Sequence, residues 1–124
     1  MKRMKKRIYL QDRTILLKDI KEIVVNNIKY NNNIMSLYLY LKINNKKISL
    51  IKTENYIYRT KNGKLHCLEG PAIKNISKDD KIRWSDQYYI DGIFYFAFDF
   101  FMHEKRLKYI KRKEYKQKFK NIII

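Results

Sequence analysis

Residues that punctuate a chain are scarce here: three glycines, one proline, one cysteine and one tryptophan in 124 residues. A lone cysteine excludes an intramolecular disulfide, and nothing points to an oxidising compartment. One cysteine and two histidines, with no C-x-x-C or H-x-x-x-H spacing, give no metal-ligand pattern. There is no glycine-rich loop to cradle phosphate. The longest apolar run, Ile93–Phe98, is far too short to span a bilayer. Ile8–Leu17 is broken by Gln11, Asp12 and Arg13, so no signal peptide is readable. The expected location is the cytoplasm.

Acidic residues are the other shortage. Twelve Asp and Glu stand against 29 Lys and Arg, a net charge of +17. Met1–Arg7 carries Lys2, Arg3, Lys5, Lys6 and Arg7 with no acid, and His103–Lys120 is +7, so the two ends hold +12 of the total. Such a balance suits a phosphate backbone, anionic lipid or an acidic protein. An AT-rich genome would also raise Lys, Asn, Ile and Tyr together, but it accounts less well for clustering at the termini. A hydrophobic content of 45% with 15% aromatics argues for a folded chain despite 33% charged residues.

What punctuation exists is concentrated in Asn62–Gly92, which holds every glycine (Gly63, Gly70, Gly92), Pro71, Cys67 and Trp84. Asn62-Gly63, Gly70-Pro71 and Asp91-Gly92 read as turns, since Asn, Asp and Gly tolerate positive φ and Pro fixes its own. The runs between them, Lys64–His66, Ala72–Ile76, Lys81–Trp84 and Gln87–Ile90, have strand length and strand composition. The segment predicts a β-meander.

N-G-K-L-H-x-x-x-G-P-A followed by W…Y-Y-I-D-G resembles the G-x-L-H-R-x-D-G-P-A repeat of phage and large-virus proteins, a relative of MORN-type hairpin repeats. The likeness covers roughly a quarter of the chain, about one and a half repeats, with Gly63, Leu65, His66, Gly70, Pro71, Trp84 and Gly92 as its structural residues. Cys67 stands where the family usually has arginine, Leu68-Glu69 replaces its acidic pair, and the second unit lacks the L-H-x-x-x-G-P-A half. The resemblance implies a hairpin module of phage or prophage origin and implies no reaction. With the small size, it also implies a setting in the host cytoplasm as an antagonist of a nucleic-acid-based defence, in the manner of anti-CRISPR proteins.

Elsewhere, periodicity guides the reading. Ile8–Leu10 and Thr14–Leu17 are short apolar pieces. Leu16, Leu17, Ile20, Ile23 and Val24 would also form a helical stripe, and β-branched Ile23-Val24-Val25 tips the choice toward strands flanking a helical turn around Lys18–Lys21. Ser36–Lys52 predicts a hairpin turning at Asn44-Asn45, with Leu41 opposite Ile48 and Leu39 opposite Leu50. Its other face pairs Lys42 with Lys47 and places Tyr38 and Tyr40 beside them, a possible stacking platform for single-stranded nucleic acid, although tyrosine is also an ordinary strand residue. After Asp91-Gly92, Ile93–Phe98 reads as a strand fading into a helix. Phe98, Phe101, Met102, Leu107, Tyr109 and Ile110 then fit a helix of about five turns ending near Phe119. Lys105, Lys108, Arg112 and Lys116 form one stripe along it, with Arg106 adjacent.

No reaction class finds its residues. Neighbours in a strand face opposite ways, so His66 is poorly placed to serve Cys67 as a base. Asp79, Asp80, Asp86 and Asp91 fall mostly at turns, where Asp is favoured for backbone reasons. The expectation is a non-enzymatic protein without cofactor or metal, in one mainly-β α+β domain. It comprises a basic arm (1–7), a β-rich part (8–60), the antiparallel meander (61–96) and a C-terminal basic α-helix (97–120). The expected partner is nucleic acid or the acidic face of a nucleoprotein complex, bound by Lys5, Lys6, Arg7, Tyr38, Tyr40, Lys42, Lys47, Lys105, Arg106, Lys108, Arg112 and Lys116. A protein partner held by the meander, in a structural or adaptor role, and an anionic membrane surface are the alternatives.

Overall fold

Antiparallel hairpins make up most of the structure, a computed structural model that describes residues 7–11, 13–31, 45–78 and 86–122. The expected α+β, mainly-β class with a C-terminal helical region is what the chain adopts. Strands β1 (Arg7–Leu10) and β2 (Arg13–Leu16) pair as a hairpin. A 3-10 turn at Leu17–Asp19 leads into β3 (Ile20–Val25), close to the expected strand–turn–strand. Strands β4 (Ile28–Asn31), β5 (Ile48–Thr53), β6 (Tyr56–Lys61) and β7 (Lys64–Leu65) continue the main sheet in the order β4-β3-β5-β6-β7. Strand β8 (Ile73–Asn75) pairs with the first half of β6, where β7 does not reach. Strands β9 (Tyr88–Ile90) and β10 (Ile93–Tyr95) form a last hairpin, followed by α1 (Ala97–Phe101) and α2 (Glu104–Ile122).

Residues directly opposite one another in paired strands share a face. Ile23 lies opposite Ile51, Ile51 opposite Tyr58 and Tyr58 opposite Ile73. This inner row, with Val25, Ile48 and Leu65, meets Ile8, Leu10, Ile15 and Leu17 from the β1–β2 hairpin in one buried cluster. Thr60, buried among them, donates its hydroxyl to the Ile48 carbonyl at 2.5 Å. Burial at about 25 cal/mol per Å² of apolar surface is the main stabilisation of such a core.

Turn chemistry fixes the register. Asn62-Gly63 and Asp91-Gly92 both take positive φ, as expected, and join β6 to β7 and β9 to β10. Asn26-Asn27 does the same between β3 and β4, with φ of 51° and 63°. At the β1–β2 turn Gln11 has φ 57°, a conformation its side chain supports by three-way bonding. Leu65 N–H donates to Gln11 Oε1 (2.7 Å), Gln11 Nε2 donates to the Gly92 carbonyl (2.9 Å), and Gly92 N–H donates to the Leu65 carbonyl (2.8 Å). Three hairpins are thereby tied at one point.

Two expectations are corrected. The first is the Ser36–Lys52 hairpin. Residues 36–43 lie outside the described residues, but Asn45–Lys47 is a 3-10 turn and β5 has β3 on one edge and β6 on the other at Leu50. A ladder through Leu50 to Leu39 therefore has no free edge to use. The second is the single helix from Phe98. Lys105 N–H donates to His103 Nδ1 at 3.1 Å, so His103 caps a new helix and divides α1 from α2. Arg106 donates to the Phe101 carbonyl at 3.0 Å and lies over the Phe101 ring, which fixes the corner. Of the expected apolar stripe, Phe98, Phe101, Met102 and Leu107 are exposed, whereas Phe100, which is not part of it, is fully buried.

Candidate basic surface and cleft

Helix α2 is held to the meander by two acids. Lys105 Nζ pairs with Asp91 Oδ2 at 2.5 Å. Tyr109 donates its hydroxyl to Glu69 Oε1, and Lys113 Nζ lies 3.3 Å from the same oxygen. Residues 105, 109 and 113 are successive i, i+4 positions and so lie along one side of the helix. The Tyr109 hydrogen bond, followed by Lys113, holds the Glu69 carboxyl below its usual range. The Lys105 hydrogen bond does the same for Asp91.

Of the expected α2 stripe, Lys105 and Arg106 are thus engaged in holding the fold. Lys108 pairs with Glu104 at 2.9 Å across one helical turn, the weak kind of exposed pair. Lys108, Lys111, Arg112, Tyr115 and Lys116 surround a shallow surface depression of about 530 Å³ on the exposed flank. Among the described residues, no partner is found for Lys111, Arg112 or Lys116. Arg7 is a half-buried strand residue of β1, and Lys47 is exposed on the 3-10 turn before β5, so neither joins this flank. Lys5, Lys6, Tyr38, Tyr40, Lys42 and Trp84 lie outside the described residues.

A second basic surface was not apparent in the sequence. On the outer face of the sheet, Glu22 lies opposite Lys52, Lys52 opposite Ile57 and Ile57 opposite Lys74. Val24 lies opposite Leu50, Leu50 opposite Arg59, and Lys61 opposite Lys64. Register therefore brings Lys52, Arg59, Lys61, Lys64 and Lys74 to one face from four strands. Glu22 is paired with Lys29 at 3.1 Å. The available signal was the period-two placement of Arg59 and Lys61 before an Asn-Gly turn. Charge counted along the chain does not show it, because the cations are scattered through the middle.

The repeat-like residues do structural work at the same edge. Leu65 is fully buried. Asp91 N–H donates to His66 Nδ1 at 2.9 Å, so His66 of one hairpin holds the Asp-Gly turn of the next. Asp91 Oδ1 is also 3.4 Å from that nitrogen, but Nδ1 is already the acceptor of an N–H and the contact is not an ion pair. Gly92 has φ 82°, and Gly63 has φ 78°. Beyond His66, the chain bends through Gly70-Pro71 and opens a cleft of about 680 Å³. Arg59, Lys61 and Lys74 line it from the sheet, Cys67 through Pro71 from the loop, and Tyr109 from α2.

Among the described residues there is no cluster of His, Cys, Asp and Glu able to hold a metal ion, and no helix is long and apolar enough to cross a membrane. Set against family models, curated proteins and solved structures, the chain matches none of them.

Proposed function

We propose that this is a small basic binding protein that engages a polyanion, nucleic acid or the acidic face of a nucleoprotein complex, through the exposed flank of α2. The observation that carries this reading is the division of labour along the helix. Lys105, Tyr109 and Lys113 hold α2 to Asp91 and Glu69, which leaves Lys111, Arg112 and Lys116 on the flank with Tyr115 between them. Cations presented on a fixed helix release counterions when they neutralise phosphates, and that release gives affinity with a steep salt dependence. The viral character implied by the hairpin motif fits antagonism of a host nucleic-acid-based defence.

The test is a salt titration of binding to a fluorescent DNA or RNA duplex. Reversing Lys111, Arg112 and Lys116 to Glu should weaken binding at every salt concentration and reduce the slope of log K against log salt by about 2. Binding by the native protein that ignores ionic strength would overturn the reading.

A second reading has its own observation. Phe96 and Phe98 are 73% and 76% exposed; the exposed Phe94 ring stands edge-on to Phe96 at 5.3 Å, and exposed Phe101 and Met102 follow Phe98 at i+3 and i+4. Arg106, 4.8 Å from the centre of the Phe101 ring, adds a cation. Aromatic and Arg side chains dominate protein hot spots, and with a net charge of +17 an acidic protein partner fits these exposed side chains better than a second copy. Light scattering of the protein alone checks this. A monomer is expected, and a dimer that dissociates on Phe96→Ser/Phe98→Ser substitution would overturn the assignment.

A further inference from the structure

We infer that the cleft between the outer sheet face, the Gly70-Pro71 loop and α2 is a binding site for single-stranded nucleic acid, with Arg59, Lys61 and Lys74 holding its phosphates. The inference rests on the polyanion reading above but assigns a different surface and a narrower ligand.

Arg59 and Lys61 are alternate residues of β6, so they face the same way about 7 Å apart along the strand. That separation is comparable to the distance between successive phosphates in an extended strand. Lys74 comes from the adjacent β8. Lys61, which lines the cleft, has Lys64 directly opposite it, a like-charged cross-strand pair that is unfavourable unless an anion lies nearby. The acids that could cancel this field are already occupied. Glu69 is bound by Tyr109 and Lys113, and Asp91 by Lys105. Glu69 lines the cleft and is 55% exposed, but Lys113 offsets its charge, so Arg59, Lys61 and Lys74 leave the lining positive on balance.

Shape narrows the class. A cleft of about 680 Å³ is the size of a small-ligand site. That volume matches one or two nucleotides rather than a duplex. Leu68, Pro71 and Tyr109 give it an apolar side against which a base can lie, and the Tyr109 hydroxyl, tied to Glu69, fixes that ring in place. Base–aromatic contact of this kind is tolerant of sequence. Arg112 follows Tyr109 at i+3 and so borders it on the helix surface, where the cleft side of α2 gives way to the exposed flank. A strand leaving the cleft therefore meets the basic flank of α2.

Cys67, the one cysteine of the chain, lines the cleft and provides the probe. Alkylation of Cys67 by a maleimide is followed with and without a saturating oligodeoxythymidylate or oligouridylate of ten nucleotides, and with a duplex of equal length. Either single strand should slow the reaction at least fivefold and the duplex should not. In parallel, Arg59→Glu/Lys61→Glu/Lys74→Glu should weaken single-strand binding at least tenfold in fluorescence anisotropy. Undiminished Cys67 reactivity under bound single strand overturns the cleft assignment. If the α2 reversal then still abolishes binding, the helix reading stands alone. Equal protection by the duplex overturns the single-strand assignment, and failure of the native protein to bind any nucleic acid at low salt removes both readings. The alkylation arm uses the unaltered protein, so it decides the matter even if the triple variant does not fold.

Discussion

His66 accepts a hydrogen bond at Nδ1 from the backbone N–H of Asp91, 2.9 Å away and 25 residues along the chain. The imidazole must therefore be neutral in the folded protein, with its proton on Nε2. This one bond accounts for the joint presence of Leu-His in one hairpin and Asp-Gly in the next. The leucine anchors the strand in the core and the histidine holds the following turn.

Stability should consequently depend on pH in a defined direction. Burial holds His66 below its ordinary value of 6.5, Lys61 and Lys105 add to the shift, and Asp91 opposes it. As pH falls, the unfolded chain takes up this proton first, so the unfolded state is favoured. Stability is complete above about pH 6.5 and declines below it until folded His66 protonates too. The urea midpoint should fall as the pH is lowered below about 6.5, and His66→Gln should flatten that limb. A midpoint that rises on acidification through this window would contradict the assignment.

Gly92 and Gly70 should respond oppositely to alanine. Gly92 has φ 82°, and a Cβ there would meet Lys64 Cδ at 3.2 Å and Gln11 Nε2 at 3.3 Å. Both the backbone strain and the contact oppose it, for a loss of about 1–2 kcal/mol. A Cβ at Gly70 would meet nothing within 4 Å, so Gly70→Ala should stay within about 0.5 kcal/mol. Chemical denaturation of the two variants makes the comparison.

Gln11→Ala should cost about 1–3 kcal/mol, since it leaves Leu65 N–H without its acceptor and removes the amide bond to the Gly92 carbonyl. Gln11→Glu keeps the acceptor and loses the donor, and should fall between the two in urea midpoint. Equal stability of all three proteins would show that water replaces the amide.

The phenylalanines of α1 separate core from surface. Phe100 is fully buried, with its ring 4.6 Å from that of Tyr88. Phe100→Ala should cost about 3–5 kcal/mol. Phe98→Ala, at a largely exposed position, should cost less than about 0.5 kcal/mol. Thermal denaturation followed by circular dichroism would distinguish them.

Local chemistry was the legible part of this fold. Asn62-Gly63 and Asp91-Gly92 turn as their residue types require, and Ile23-Val24-Val25 is a strand as β-branching favours. The same logic misleads at Asn44-Asn45, which reads as a hairpin turn, whereas an identical dipeptide, Asn26-Asn27, forms the turn between β3 and β4. Which strand borders β5 is a long-range choice, settled by Ile23 and Tyr58 burying their side chains with Ile51, and no local pattern contains it. The end of α1 was hidden for another reason. His103 is not a common cap, and Phe98, Phe101 and Met102 imitate the inner stripe of a longer helix although only Phe100 is enclosed.

The candidate site divides in the same way. The α2 lysines stand close together in sequence, so their shared flank follows from helical spacing alone. Arg59, Lys61, Lys64 and Lys74 come together only through strand register, and a reading of terminal charge could not assemble them.

The three-way junction at Gln11 has a bearing on how the chain is made. Its amide closes on residues 54 and 81 positions downstream, so the β1–β2 hairpin leaves the ribosome well before the partners that secure it. At ordinary rates of translation that hairpin waits on the order of ten seconds for Gly92 to emerge. A nascent chain halted before Gly92 should leave its amino-terminal strands open to protease, and release of a few more residues should close them.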